Sequence, residues 1–184
     1  MTITDPTATE LTATQLTATQ LTPTPAATIV RHHDQGDATW FLNSLVTTKA
    51  THAETGGAYC LMEHLLTAAA NPPMHVQTDE EEGFFVLEGE IEFEVDGVLT
   101  LARAGTFAFV PRGVAHAFRV LTPEARMLVL ASAPTGAPGG GLHHFFEEAG
   151  VPAAARVLPM PEAPDPVALT AIAAAHGIEI LPPR

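Results

Sequence analysis

His75-Val76-Gln77-Thr78-Asp79-Glu80-Glu81-Glu82-Gly83-Phe84-Phe85-Val86-Leu87-Glu88-Gly89 is followed further on by Gly105-Thr106-Phe107-Ala108-Phe109-Val110-Pro111-Arg112-Gly113-Val114-Ala115-His116. In an extended strand, residues two apart project from the same face, so His75 and Gln77 point the same way. Glu82 lies beyond a short bend, on a further strand whose Phe84 and Val86 share its side. His116 and Phe118 share a face of a third strand. If all these faces look inward, two imidazoles, a carboxylate and a carboxamide meet inside one small barrel. Gly89, Gly105, Pro111 and Gly113 fall where the intervening turns need them.

The flanking sequence supplies the rest of such a barrel. Trp40 to Val46 and Ala58 to Leu66 read as strands, with the turn signal Thr55-Gly56-Gly57 between them. Phe84 to Leu87 is a compact apolar run, and Gly89 permits a turn or bulge after it. Ile91, Phe93 and Val95 alternate with Glu90, Glu92 and Glu94, as expected of one buried and one wet face. Asp96-Gly97 predicts a hairpin returning along Val98 to Leu101. Phe107 to Val110, Ala115 to Leu121 and Met127 to Ala131 add three more strands. Short strands with turn chemistry between them predict an all-β closed sandwich or barrel. Pro134 to Gly141 reads as a loop and His143 to Gly150 as a short helix. Asp165-Pro166 begins a second helix that Gly177 ends, and Ile178 to Leu181 reads as a last extended segment.

The chain of 184 residues suits one domain with extensions. Residues 1–27 read as a disordered tail: Ala-Thr-Glu/Gln-Leu-Thr occurs three times over 8–22, a period matching neither helix nor strand. Residues 28–141 are the expected barrel, and 142–184 an extension packing on it. The net charge of −13, from 21 acidic and 8 basic residues, argues against nucleic acid and anionic membrane as partners. Asp79-Glu80-Glu81-Glu82 and the Glu88–Glu94 series read mostly as solvated, with Glu82 the exception. The single cysteine, Cys60, excludes a disulfide frame and reads as core. No apolar run is long enough to span a membrane, and no basic residue precedes Arg31, so a cytoplasmic location is expected.

Two histidines and a carboxylate with an open coordination position suit one divalent Fe, Mn, Co, Ni, Cu or Zn ion. Gln77 can add its amide oxygen, a neutral and harder donor than imidazole, which shifts preference toward Mn or Fe(II). The alternative is that Gln77 marks a site no longer in use. Phe84, Phe107, Phe109 and Phe118 are candidates to line an apolar substrate pocket, and equally ordinary core. His64 is a candidate to face the same cavity. His32, His33, His52, His143 and His144 show no ligand spacing to a second donor and read as surface or packing residues.

The two motifs resemble those of the cupin superfamily, G-x5-H-x-H-x3,4-E-x6-G and G-x5-P-x-G-x2-H-x3-N. The likeness runs from His75 to Gly89 and from Gly105 to His116, and extends over about residues 36–134. Gln77 stands at the second histidine position, Ala70 at the first glycine and Val120 at the final asparagine. The resemblance implies a jelly-roll barrel with metal ligands at His75, Glu82 and His116. The Trp40-Phe41-Leu42 strand and the His144–Gly150 tail are similar to the single-barrel, quercetin 2,3-dioxygenase-like group. That likeness implies a dioxygenase acting with O2 on a small aromatic, enolic or polyketide-like molecule, with Glu82 as both ligand and general base. It leaves open a non-redox isomerase, cyclase or lyase of the same fold, or a non-catalytic binding protein. It also implies a homodimer.

Overall fold

A computed structural model describes residues 28–134, 141–161 and 163–183. The threonine-rich repeat and most of the Pro134–Gly141 segment lie outside the described residues. Among the described residues, ten strands precede the first helix: β1 (Asp37–Phe41), β2 (Ser44–Ala50), β3 (Cys60–Thr67), β4 (His75–Gln77), β5 (Glu81–Glu88), β6 (Glu90–Val95), β7 (Val98–Arg103), β8 (Phe107–Val110), β9 (His116–Val120) and β10 (Glu124–Ser132). They are followed by α1 (Gly141–Ala149), β11 (Val151–Pro152), α2 (Pro166–Ala175) and β12 (Ile178–Ile180). The strands form two antiparallel sheets, ordered β11-β1-β2-β3-β10-β5-β8 and β12-β4-β9-β6-β7, packed face to face as a jelly roll.

Alternation of side chains builds the core between the sheets. In β3, Cys60, Met62, His64 and Leu66 are buried while their neighbours are half-buried. On β10, Ala125, Met127, Val129 and Ala131 repeat the pattern. Register stacks the two rows against β5: Met62 pairs with Val129 and Val129 with Phe84, while Cys60 pairs with Ala131 and Ala131 with Glu82. Glu82 therefore occupies an inward row that is otherwise apolar. Cys60 is fully buried, and burial pushes its thiol pKa up to about 12, which leaves it inert as a nucleophile.

Turn chemistry accounts for the corners. Asp96 and Gly97 both adopt positive φ (49° and 76°), as a tight β6–β7 hairpin with matching twist requires. Gly89 carries the chain from one sheet to the other at φ 82°, and a Cβ there would come within 2.7 Å of the Glu124 carbonyl oxygen. No other residue fits. The expected strand Trp40–Val46 is corrected to two strands joined at Leu42-Asn43. Leu42 takes φ 50° without being glycine, so the turn left no signal in the sequence.

The C-terminal residues add a strand to each sheet, β11 beside β1 and β12 beside β4. The Asp165 side chain accepts from the Val167 and Ala168 amides at 3.0 and 3.2 Å and caps α2. Helix α1 sets Phe145 and Phe146 edge-on against Phe41, with centroids at 5.3 and 5.2 Å. No helix among the described residues is long and apolar enough to cross a membrane.

Candidate metal centre

Strand β4 lies beside β9 with His75 opposite His116, so the two imidazoles share the inner face of the five-stranded sheet. Their ring centroids are 4.2 Å apart. Glu82 reaches the same point from the opposing sheet, its Oε2 standing 2.7 Å from His116 Nε2. The donor atoms of His75, Glu82 and His116 all lie within 4.8 Å of one another. Gln77, two residues from His75 on the same strand, is buried as well. Exposure is 3% for Gln77, 3% for Glu82 and 1% for His116, so water does not solvate these polar groups.

Backbone carbonyls fix the tautomers. His75 Nδ1 is 2.9 Å from the Pro73 carbonyl oxygen, and His116 Nδ1 is 3.0 Å from that of Val114. A carbonyl only accepts, so each Nδ1 bears the proton and each Nε2 keeps a lone pair. This is how ligating histidines are held. Although His116 Nε2 and Glu82 Oε2 are close, neither has a partner of hydrogen-bond geometry, and Gln77 Nε2 is also unsatisfied. Two buried acceptors facing each other require a shared cation or proton. A half-turn of the Gln77 amide exchanges Nε2 for Oε1 and presents a third neutral donor. The donor set fits a divalent transition ion.

Electrostatics follow the same geometry. Burial lowers the His116 pKa, but the Glu82 carboxylate outweighs it and holds the imidazolium above its ordinary value. His75 moves down through burial and the adjacent His116, with Glu82 opposing. His64 lies inside the barrel on β3, its ring 5.1 Å from Phe146, and burial lowers its pKa to about 4. It is therefore neutral near pH 7, and its Nε2 has no partner.

The aromatic expectations divide. Phe84 is buried with its ring 6.0 Å from that of His116, and Phe118 packs 6.1 Å from Phe93 on the inner face. Phe107 and Phe109 are corrected: they are 62% and 53% exposed, on the outer face of β8. Register decides this, because β8 pairs with β5 so that Val110 faces Glu82 and Ala108 faces Phe84, turning the two phenylalanines outward. Two clefts of about 580 and 330 Å³ also lie on the outer side, lined by residues such as Arg31, Lys49, Glu63 and Leu65. None of the four donors lines them.

Two further expectations are overturned. Glu80 is 1% exposed rather than solvated, because its carboxylate accepts the Leu142 amide at 2.8 Å and holds the start of α1. Its Oε1 lies 3.5 Å from Nε2 of His52, which is likewise buried. His143 and His144, expected to have no second donor, lie with Glu147 in a cluster on α1.

Residues 62–132, which contain both motifs, match the Cupin_2 family, a cupin domain. That part of the barrel is similar to the cupin family. The chain is 29% identical over 96 residues to quercetin 2,3-dioxygenase of Bacillus subtilis, covering 51% of this chain and 28% of that protein. The chain thus matches little more than a quarter of the curated relative's length. Its fold is similar to an RmlC-like cupin from Shewanella frigidimarina, with TM-score 0.52, 18% identity, and coverage of 61% of this chain and 97% of the other. Oxalate decarboxylase from Bacillus subtilis shares the fold at TM-score 0.51 and 13% identity, over 62% of this chain and 31% of that one.

Gln77→His is expected to tighten Zn2+ or Ni2+ binding on the order of tenfold, ~1.4 kcal/mol, because imidazole is the better donor to these ions. Calorimetric titration of both proteins checks it. Unchanged affinity would remove Gln77 from the ligand set.

Proposed function

We propose that this protein is a cupin of the quercetinase type, a metal-dependent dioxygenase acting on a small aromatic, enolic or polyketide-like molecule. The observation that carries the reading is the buried pair of unsatisfied acceptors, His116 Nε2 and Glu82 Oε2, beside a second imidazole whose Nδ1 is held by the Pro73 carbonyl. The similarity to quercetin 2,3-dioxygenase supports the substrate class and the use of O2. A divalent transition ion bound there would supply Lewis acidity for an enolate oxygen and, if redox-active, a path to O2.

The chain's own residues do the rest. Glu82 is placed to take the acidic hydroxyl proton of the substrate as it binds. Phe84 and Phe118 offer apolar walls that exclude water from the anion so formed. His64, neutral and with an unpartnered Nε2, offers a polar contact at the α1 end of the barrel. His75 is the one donor histidine that is not fully buried, so a small molecule approaches past it.

The seal over the other donors favours compact substrates, and with them a second reading: a non-redox isomerase, cyclase or lyase. O2 uptake separates the two. Metal-loaded protein offered a panel of flavonols and related enols is expected to consume O2 in step with substrate. Glu82→Gln is expected to slow that reaction by about 10²–10⁴-fold. Substrate turnover without O2 uptake would overturn the oxygenase reading in favour of the second one, and no turnover across the panel would overturn it in favour of binding alone.

A further inference from the structure

Helix α1 carries a second group of donors that shares no residue with the barrel centre. His143 Nε2 is 3.6 Å from Glu147 Oε1, and His144 Nδ1 is 2.9 Å from Glu147 Oε2. The three ligand atoms all lie within 4.8 Å of one another. Two donors held ~2.1 Å from a tetrahedral ion stand roughly 3.4 Å apart, so this cluster needs only a small contraction at its widest pair. That adjustment is available, because the side chains of His144 and Glu147 are more than half exposed (58% and 54%) and free to change rotamer. His143 is buried, which holds its ring in place against the helix while the other two side chains adjust.

His52 lies by the start of the same helix: it is 9% exposed, and its Nε2 stands 3.5 Å from Oε1 of Glu80, whose carboxylate accepts the Leu142 amide.

We propose that His143, His144 and Glu147 form a second divalent transition-metal site, outside the barrel, for imidazole-preferring ions such as Zn2+, Co2+, Ni2+ or Cu2+. Two imidazoles and one carboxylate are the wrong donors for Mg2+ and Ca2+, which take oxygen. Three protein ligands leave a coordination position open to water. The donors come from successive turns of one helix, so the ion binds only while α1 is helical and stabilises that state. Helix α1 presses Phe146 onto Phe41 and His64, so occupancy firms the closure of that end of the barrel.

The test is calorimetric titration of tag-free protein with Zn2+, with Mg2+ as a control. Wild type is expected to take two equivalents, the tighter in the barrel. H144A and E147Q, which change exposed groups and leave the fold intact by circular dichroism, are expected to keep the tight equivalent. Each should weaken the second at least tenfold. H75A combined with H116A should show the converse, losing the tight equivalent and keeping the weaker. The absence of any equivalent weakened by both α1 substitutions, or equal binding of Mg2+, would each overturn the proposal. Loss of the tight equivalent alone bears on the barrel centre and leaves this one standing.

Discussion

Glu82→Ala is expected to weaken binding of Mn2+ or Fe2+ in the barrel by at least about a hundredfold, ~2.7 kcal/mol. Glu82 is the only anionic donor among the four, and it is 3% exposed. Without it, His75, Gln77 and His116 present only neutral atoms, and a doubly charged ion would sit uncompensated in a low-dielectric interior. His75→Ala and His116→Ala each remove an Nε2 that a backbone carbonyl has already oriented, and are expected to follow Glu82→Ala. Calorimetry measures the affinities, and thermal melts supply an independent readout. Without metal the variant should melt lower than wild type, since removing one partner of the buried Glu82–His116 pair leaves the other uncompensated. The rise in Tm on adding metal should disappear. Full retention of affinity in any two of the three variants would refute the centre.

Phe93→Ala is expected to destabilise the fold by about 3–5 kcal/mol. Phe93 is 2% exposed on β6, between Phe84 at 5.3 Å and Phe118 at 6.1 Å. Domains carry only ~5–15 kcal/mol in total, so this one ring is a large share. A drop in Tm of roughly 6–20 °C corresponds to that loss in a chain of this size. Phe109→Ala makes the matched comparison. The residue type is the same, but the ring stands on the outer face of β8, and the change should stay within about 0.5 kcal/mol. Urea denaturation of the pair measures both. Equal losses would mean that β8 is turned the other way and that the inner face has been misassigned.

Much of the barrel was legible because its signals are local. Alternation along Glu90–Val95, the Asp96-Gly97 turn, and the Asp165-Pro166 start of α2 each act within a few residues and need no partner strand. The centre was legible for a similar reason: His75 and Gln77 share a face by strand parity alone, and the carboxylate and second histidine follow on strands fixed by turn glycines. What escaped reading depends on register and long-range contact. Phe107 and Phe109 are apolar on a strand whose other face is also apolar, and only the pairing of Val110 with Glu82 says which side is inward. Glu80 is buried by the amide of Leu142, far along the chain, so its acidic surroundings suggested solvent instead. The His143–Glu147 pair did have a visible sign, the i to i+4 spacing on an expected helix. The Leu42 turn had none.

Elemental analysis of tag-free protein, after exhaustive gel filtration, tests the metal centre most directly. Wild type is expected to retain one equivalent of a first-row transition ion, and Glu82→Ala combined with His116→Ala to retain none. A double variant that keeps the full equivalent would contradict the account. So would a wild type that stays metal-free even after dialysis against Mn2+, Fe2+, Co2+ and Zn2+.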